Sequence, residues 1–188
     1  MSKQISIDQA VEMIKDGMTV MIGGFLAVGS PNKIIEAMVK AGKKDLTVIC
    51  NDTSYPEIGS GLLVASGCVK KVIASHIGTN PITEQKMKEG TMEVELVPQG
   101  TLAERVRIGG AGIGGFLTAT GVGTLAAEGK RTIEVEGKEY LLELPLRADV
   151  ALIGASVADK HGNLIYRGTS QNFNPMMATA ADLVIAEV

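Results

Sequence analysis

The strongest constraint on the fold is a series of short, almost uninterrupted apolar runs separated by amphipathic stretches. Leu46 to Cys50, LTVIC, is the clearest of them. Five residues without polar alternation read as a strand covered on both faces, the habit of parallel sheets. Met18 to Ile22, Val69 to Ala74, Val94 to Val97, Val150 to Ile153 and Leu183 to Ala186 have the same character. Helical patterns lie between them. Ser6 to Asp16 puts Ile7, Ala10, Val11 and Ile14 on one face, with Ser6 as cap and Gly17 as stop. Ser30 and Pro31 read as cap and first-turn proline of a second helix, whose Ile34, Ile35, Met38 and Val39 point inward until Gly42; Ile82 to Glu89 forms another. Such alternation predicts an α/β fold, an open, mostly parallel twisted sheet with helices on both faces. Arg131 to Val135 and Lys138 to Glu143, flanking Glu136-Gly137, add a small β-hairpin. With 188 residues and 45% hydrophobic content the chain suits one domain, 1–188, hiding about 70% of its unfolded surface.

Charge and cysteine usage narrow the function. The 18 basic and 21 acidic residues leave a net charge of -3, and no basic run is interleaved with aromatics, so neither nucleic acid nor an anionic membrane is an expected partner. The amino terminus MSKQISIDQAVEMIK lacks a signal-peptide core and no apolar run approaches about 18 residues, which predicts a cytoplasmic protein. Cys50 and Cys68 give neither a disulfide framework nor a metal-ligand spacing; they read as small buried residues, and no metal is expected. Small molecules and proteins remain as partners.

Ligands of open parallel sheets bind at the carboxyl ends of the strands. IGGFLAVGSP, Ile22 to Pro31, leaves the first strand there and enters a helix. Gly23, Gly24 and Gly29 would let backbone N–H groups approach a ligand closely, with an anion favoured at the helix amino terminus. A tight turn without a ligand fits the spacing equally well. The first five residues return as IGGFL at Ile113 to Leu117, inside Gly110-Ala111-Gly112-Ile113-Gly114-Gly115, which matches the dinucleotide fingerprint G-x-G-x-x-G, with Glu134 at about the expected distance. The context argues against it. Thr101 and Glu104 form a capping box that starts a helix before the glycines, and FLTATGVGT after them reads as loop. A nicotinamide-binding domain therefore ranks below other readings.

Longer motifs carry a resemblance. DGMTVMIGGF at Asp16 to Phe25 with Gly29 and Pro31, SHIGTNP at Ser75 to Pro81, LVPQGTLAERVRIGGAGIGGFLTATGVGT at Leu96 to Thr124, and NFNPMMATAADLVIAEV at Asn172 to Val188 all resemble the alpha (small) subunit of family I coenzyme A transferases of the acetate or butyrate to acetoacetate group. The likeness covers essentially the whole chain. Such subunits usually continue beyond DLVIAEV, so the chain reads either as truncated or as lacking a last element.

The resemblance implies a transferase moving coenzyme A between a short-chain acyl-CoA and a free carboxylic acid. A glutamate in a Ser-Glu-Asn-Gly motif is the expected nucleophile, and this chain has no such motif, so that glutamate is expected in a partner beta subunit within an α2β2 or larger hetero-oligomer. No tightly bound cofactor is implied; the coenzyme A thioester is substrate. Gly24, Phe25, Leu26, Ala27, Val28, Gly29 and Ser30 resemble the coenzyme A-binding segment. Asn51, Gln99, Gly112, Gly114, Gly115 and Phe116 would line the acyl pocket, with Gln99 near the acyl carbonyl.

Plainer readings stand beside these. Gln99 could cap a loop. Asn51 and Asp52 read first as turn formers, and His76 as a satisfied structural histidine. Glu57 and Glu143 would be the nominees if this chain held its own nucleophile, though both read better as surface or salt-bridge residues. Phe25 and Phe116, two of three phenylalanines, are expected to anchor their loops by packing. A non-catalytic metabolite-binding module on the same sheet is the alternative to the transferase.

Overall fold

A computed structural model describes residues 2–188. Its element order is α1 (Ile7–Met13), β1 (Thr19–Ile22), α2 (Asn32–Lys40), β2 (Leu46–Cys50), α3 (Ser60–Ala65), β3 (Val69–Ala74), α4 (Pro81–Lys88), β4 (Glu93–Leu96), α5 (Gln99–Ala111), β5 (Phe116–Thr118), β6 (Thr132–Val135), β7 (Lys138–Glu143), β8 (Ala148–Gly154), β9 (Val157–Ala158), β10 (Leu164–Ile165), α6 (Asn174–Met177) and β11 (Ala181–Glu187). Six strands make the central sheet in the order β11-β8-β1-β2-β3-β4. Every neighbouring pair is parallel. The apolar runs make this possible, because the inner strands β1, β2 and β8 bury both faces, whereas β4 and β11 at the sheet edges are only partly covered, contrary to the doubly covered strand expected at Val94 to Val97. Val20 and Ile22 pack on one side with Ala10, Val11, Ile34, Ile35, Met38 and Leu63. Met21, between them, packs on the other side with Leu102, Val106 and Met177. The result is three layers, with β1 and β2 at the centre. From β1 the chain runs outward to β4 and later returns to add β8 and β11 on the opposite side, so the strand order reverses between β1 and β8. Such a switch point opens a crevice at the carboxyl ends. No helix among the described residues is long and apolar enough to cross a membrane.

The predicted hairpin is present as β6 and β7, with Glu136 and Gly137 both at positive φ, 52° and 75°, as its two-residue turn requires. Several local expectations need correction. FLTATGVGT is not all loop, because Phe116 to Thr118 pair with Leu141 to Glu143 as the third strand of that small sheet. Helix α1 stops at Met13, where Ile14 turns extended while staying fully buried; Gly17 belongs to the following turn. Its Ser6 cap is a full capping box with Gln9. The proposed box at Thr101 does not form: α5 already begins at Gln99 behind Pro98, and Glu104 pairs with Arg107 instead. Ser30 does not cap α2. Pro31 holds that position, and the Ser30 hydroxyl donates to Gly23 O at 2.8 Å.

Candidate active site at the carboxyl edge of the sheet

The loop after β1 turns on two residues. Phe25 and Val28 exchange both backbone hydrogen bonds, 3.1 and 2.9 Å, around Leu26 and Ala27 at φ 47° and 68°. Turns of this handedness favour Asn-Gly, and leucine and alanine hold the conformation at a cost of about 1–2 kcal/mol per residue. The surroundings over-determine it. Leu26 N donates to Asp52 Oδ1 and Oδ2 at 3.2 and 3.1 Å; Gly24 N donates to Asn172 Oδ1 at 3.0 Å; Asn172 Nδ2 donates to Val28 O, and Asn174 Nδ2 to Gly29 O, each at 3.0 Å. Ala27 and Gly29 are the residues of this loop whose N–H groups have no acceptor among the described residues.

The glycines are required by the chain itself. A Cβ on Gly23 would lie 1.7 Å from Asn174 Oδ1, one on Gly24 1.9 Å from Ser30 Oγ, and one on Gly29 2.7 Å from Ser170 O. The anion expected at the amino terminus of α2 is also internal: the Glu187 carboxylate accepts from Ile34 N at 2.9 Å and Lys33 N at 3.3 Å. Phe25 is no packing anchor. It is 47% exposed, as is Val28 at 51%, so the turn displays an apolar tip, whereas the phenylalanine that packs in the core is Phe173.

After β2 the four residues Asn51, Asp52, Thr53 and Ser54 are all buried and polar. Ser75, from the end of β3, fixes the Asn51 backbone through its N and Oγ, and Asn80 Nδ2 holds Thr53 O. Asp52 does form the expected turn, accepting from Ser54 N at 2.8 Å, but it is also a hub: Asn51 Nδ2 donates to its Oδ2 at 2.7 Å. Asn51 Oδ1 in turn accepts from Gln99 Nε2 at 2.7 Å. The strand expected over Val94 to Val97 ends at Leu96, and Gln99 is the first residue of α5. The structure thus brings Gln99, Asn51, Asp52 and the turn after β1 into one hydrogen-bonded line.

The second glycine cluster lies elsewhere. GAGIGG closes α5, with Gly109 and Gly110 inside the helix and Gly112 its left-handed cap at φ 69°. It does not open a helix, so the dinucleotide fingerprint has no structural counterpart. The 13-residue helix α5, from Gln99 to Ala111, carries the chain about 20 Å from Gln99 to Gly112, so within this chain Gly112, Gly114, Gly115 and Phe116 are not gathered with Gln99 and Asn51. Glu143 is 3% exposed and paired with Lys130 at 2.5 Å, with Arg105 at 3.9 Å, which makes it a salt-bridge residue. Glu57 is exposed in the turn before α3. His76 is exposed and its ring makes no hydrogen bond to the described residues, so it is not the internally bonded structural histidine expected; its backbone O accepts from Thr53 N. Both cysteines are buried and free, and burial, reinforced by the charge of Asp52, pushes the Cys50 thiol up to about 12. Asn172, Asn174 and Glu187 are the positions sequence reasoning missed. The doubled asparagine of NFN ahead of a proline was the available signal.

An all-parallel sheet with a strained loop and an amide line at its carboxyl edge has the architecture of α/β proteins that take ligands at that edge. The chain belongs to the coenzyme A transferase family, whose model matches residues 4–188. It is 53% identical to the acetate CoA-transferase subunit alpha of Escherichia coli K12, over 99% of this chain and 84% of that one. Identity to the acetoacetyl-CoA:acetate/butyrate CoA transferase alpha subunit of Clostridium acetobutylicum is 55%, over 99% and 85%. Among solved structures, a variant of the decarboxylase AibA/AibB superposes with a TM-score of 0.83 at 26% identity, over 99% of this chain and 74% of that one.

Proposed function

We propose that this chain is the alpha subunit of an enzyme that moves coenzyme A between a short-chain acyl-CoA (acetyl-, butyryl- or acetoacetyl-CoA) and a free carboxylic acid. What carries this reading is identity above 50% along 99% of the chain to two alpha subunits named for acetate and for acetoacetyl-CoA:acetate/butyrate. The nucleophile is a glutamate of a partner beta subunit, and the two chains assemble as an α2β2 or larger complex. That carboxylate attacks the thioester carbon and expels the coenzyme A thiolate, leaving an acyl-glutamyl anhydride. The thiolate then attacks the glutamyl carbonyl and releases the first carboxylic acid. The glutamyl-CoA thioester is finally attacked by the acceptor acid through the same steps in reverse.

Each step passes through a tetrahedral oxyanion, and this chain supplies donors for it. Gln99 Nε2 spends one hydrogen on Asn51 and keeps the other for the acyl oxygen. Residues 24–30 receive coenzyme A through the N–H groups of Ala27 and Gly29 and the apolar tip of Phe25 and Val28. The loop of Gly112, Gly114, Gly115 and Phe116 reaches the acyl group only across the subunit interface.

The test is co-expression with a beta subunit carrying the Ser-Glu-Asn-Gly motif, followed by a transferase assay with acetate and acetoacetyl-CoA. Turnover should require both chains. In the complex Gln99→Ala should lower kcat by roughly 10-fold to 100-fold and raise KM less, with Gln99→Glu worse because it sets a negative charge beside the oxyanion. Turnover by the isolated chain, with a coenzyme A adduct on one of its own carboxylates, would refute the division of labour. Binding of acyl-CoA without turnover by the complex would favour a metabolite-binding module instead.

A further inference from the structure

We propose that Asp52 is a positioning residue that sets the direction of the amide line ending at Gln99 while clamping the turn after β1 with the same carboxylate. Asp52 is 4% exposed, and no Lys, Arg or His among the described residues pairs with it. Burying a carboxylate without a cation is costly, and a turn former has no need of one, since a neutral asparagine would accept equally well from Ser54 N. What a carboxylate adds is two oxygens that only accept. Both are used. Oδ1 takes Ser54 N and the Ser54 hydroxyl, Oδ2 takes Asn51 Nδ2, and Leu26 N lies between them.

Direction follows from valence. A carboxamide has one donating and one accepting end, so an acceptor-only neighbour obliges Asn51 to present its NH2 to Asp52 and its Oδ1 to Gln99. Gln99 must then present its own NH2 to Asn51. An amide at position 52 can keep its oxygen on Ser54 N, but its NH2 then faces the NH2 of Asn51. Relief comes if Asn51 and then Gln99 rotate by half a turn. Gln99 Oε1 then occupies the place of Nε2, and an acceptor stands where the proposed oxyanion needs a donor.

The kinetic part of this inference rests on the transferase reading; the orientation of the Gln99 amide does not. Two readouts therefore accompany each variant. Asp52→Asn should lower kcat of the assembled complex by roughly 10-fold or more with a smaller change in KM for acyl-CoA. In the full chain labelled with ¹⁵N, the side-chain NH2 pair of Gln99, assigned by its loss in Gln99→Ala, should move toward free-amide shifts and exchange faster. The double substitution Asn51→Asp with Asp52→Asn restores an acceptor opposite Gln99 while keeping one carboxylate, so it should recover the wild-type Gln99 resonances and most of kcat. This double variant keeps one carboxylate and one carboxamide in the line, leaving Leu26 N with Oδ1 alone at position 52, and it serves as the test should Asp52→Asn alone fail to fold. Unchanged Gln99 resonances in Asp52→Asn, or a folded double variant whose Gln99 pair still resembles the free amide, would overturn the proposal. A wild-type complex without transferase activity would sink the functional reading and leave the resonance test standing.

Discussion

Gly23→Ala isolates the claim that the loop glycines are dictated by the chain's own atoms. Gly23 does not lie at positive φ, so alanine adds no backbone strain there. Its Cβ would nevertheless sit 1.7 Å from Asn174 Oδ1 and 2.6 Å from Asn174 Cγ. Asn174 is fully buried and must give way. In moving it forfeits hydrogen bonds to Gly154 N at 3.0 Å, Gly29 O at 3.0 Å and Ser170 O at 2.8 Å. At about 1 kcal/mol net per bond the three amount to about 3 kcal/mol, and stranding Gly154 N without an acceptor pushes the cost upward. Urea unfolding followed by circular dichroism reads this as a lower midpoint at unchanged slope. Asn174→Ala loses the same three bonds without a clash, so the double variant should be about as stable as Asn174→Ala alone. The two sites should thus couple by about 3 kcal/mol. Gly114→Ala, where a Cβ meets nothing within 4 Å, should fall within about 0.5 kcal/mol of wild type. A Gly23→Ala chain of wild-type stability, or additive costs in the double variant, would refute the reasoning.

Three further outcomes follow from the geometry. Burial raises the proton affinity of the Glu95 carboxyl, but the Arg105 hydrogen bond and charge, with Lys71 behind them, outweigh it and leave the group below its ordinary value of 4.5. A carboxylate depressed in the folded state stabilises above its unfolded value and loses that contribution as pH falls through the folded one. The thermal midpoint should therefore drop on acidification below about pH 4.5, and Glu95→Gln should flatten that limb. Cys50 and Cys68 should resist a thiol reagent at about pH 8 in the folded chain and both react after unfolding, because the Cys50 thiol is held near 12 and both side chains are buried. Glu187→Gln removes the charge from the amino terminus of α2 and should cost about 0.3–1 kcal/mol in urea unfolding, less in high salt.

The parts of the fold that sequence conveyed are those set by local burial. Leu46–Cys50 forms a strand over the very residues expected, because a run without polar alternation leaves few other solutions, and Val69–Ala74 does so although Lys70 and Lys71 leave its first half less covered than Val72 to Ala74. Helix α3 went unread, since the six residues SGLLVA are too few to show a period. Caps fared worse for a different reason. Ser30 and Thr101 have the right chemistry, but the Ser30 hydroxyl is engaged by Gly23 O across the loop, and α5 starts three residues earlier than a cap at Thr101 allows. Within the site, Gln99 and Asn51 could be nominated from their places after strands. Their contact spans 48 positions in sequence, and no pattern along the chain announces it. The same holds for Asn172, whose bond to Gly24 N crosses 148 positions.

The repeated IGGFL shows how one string can answer two different physical demands. In the first copy, Gly23 and Gly24 leave a buried strand, and both missing Cβ atoms are replaced by side chains of the same chain, Asn174 and Ser30. Phe25 then opens a strained turn that ends exposed. In the second copy the glycines follow a helix cap and lead into β5, where Phe116 pairs with Glu143. There a Cβ on Gly114 meets open space and one on Gly115 approaches Glu143 O at 3.0 Å. Fold stability therefore explains the glycines of the first copy and Gly115, while Gly114 has no internal reason to be glycine. If the loop takes the acyl-pocket role proposed for it, a second chain or a ligand would come close to the backbone at Gly114. Gly114→Ala accordingly separates two costs that Gly23→Ala merges: stability of the chain should be unaffected, and any loss in the assembled enzyme reports an approach made only there.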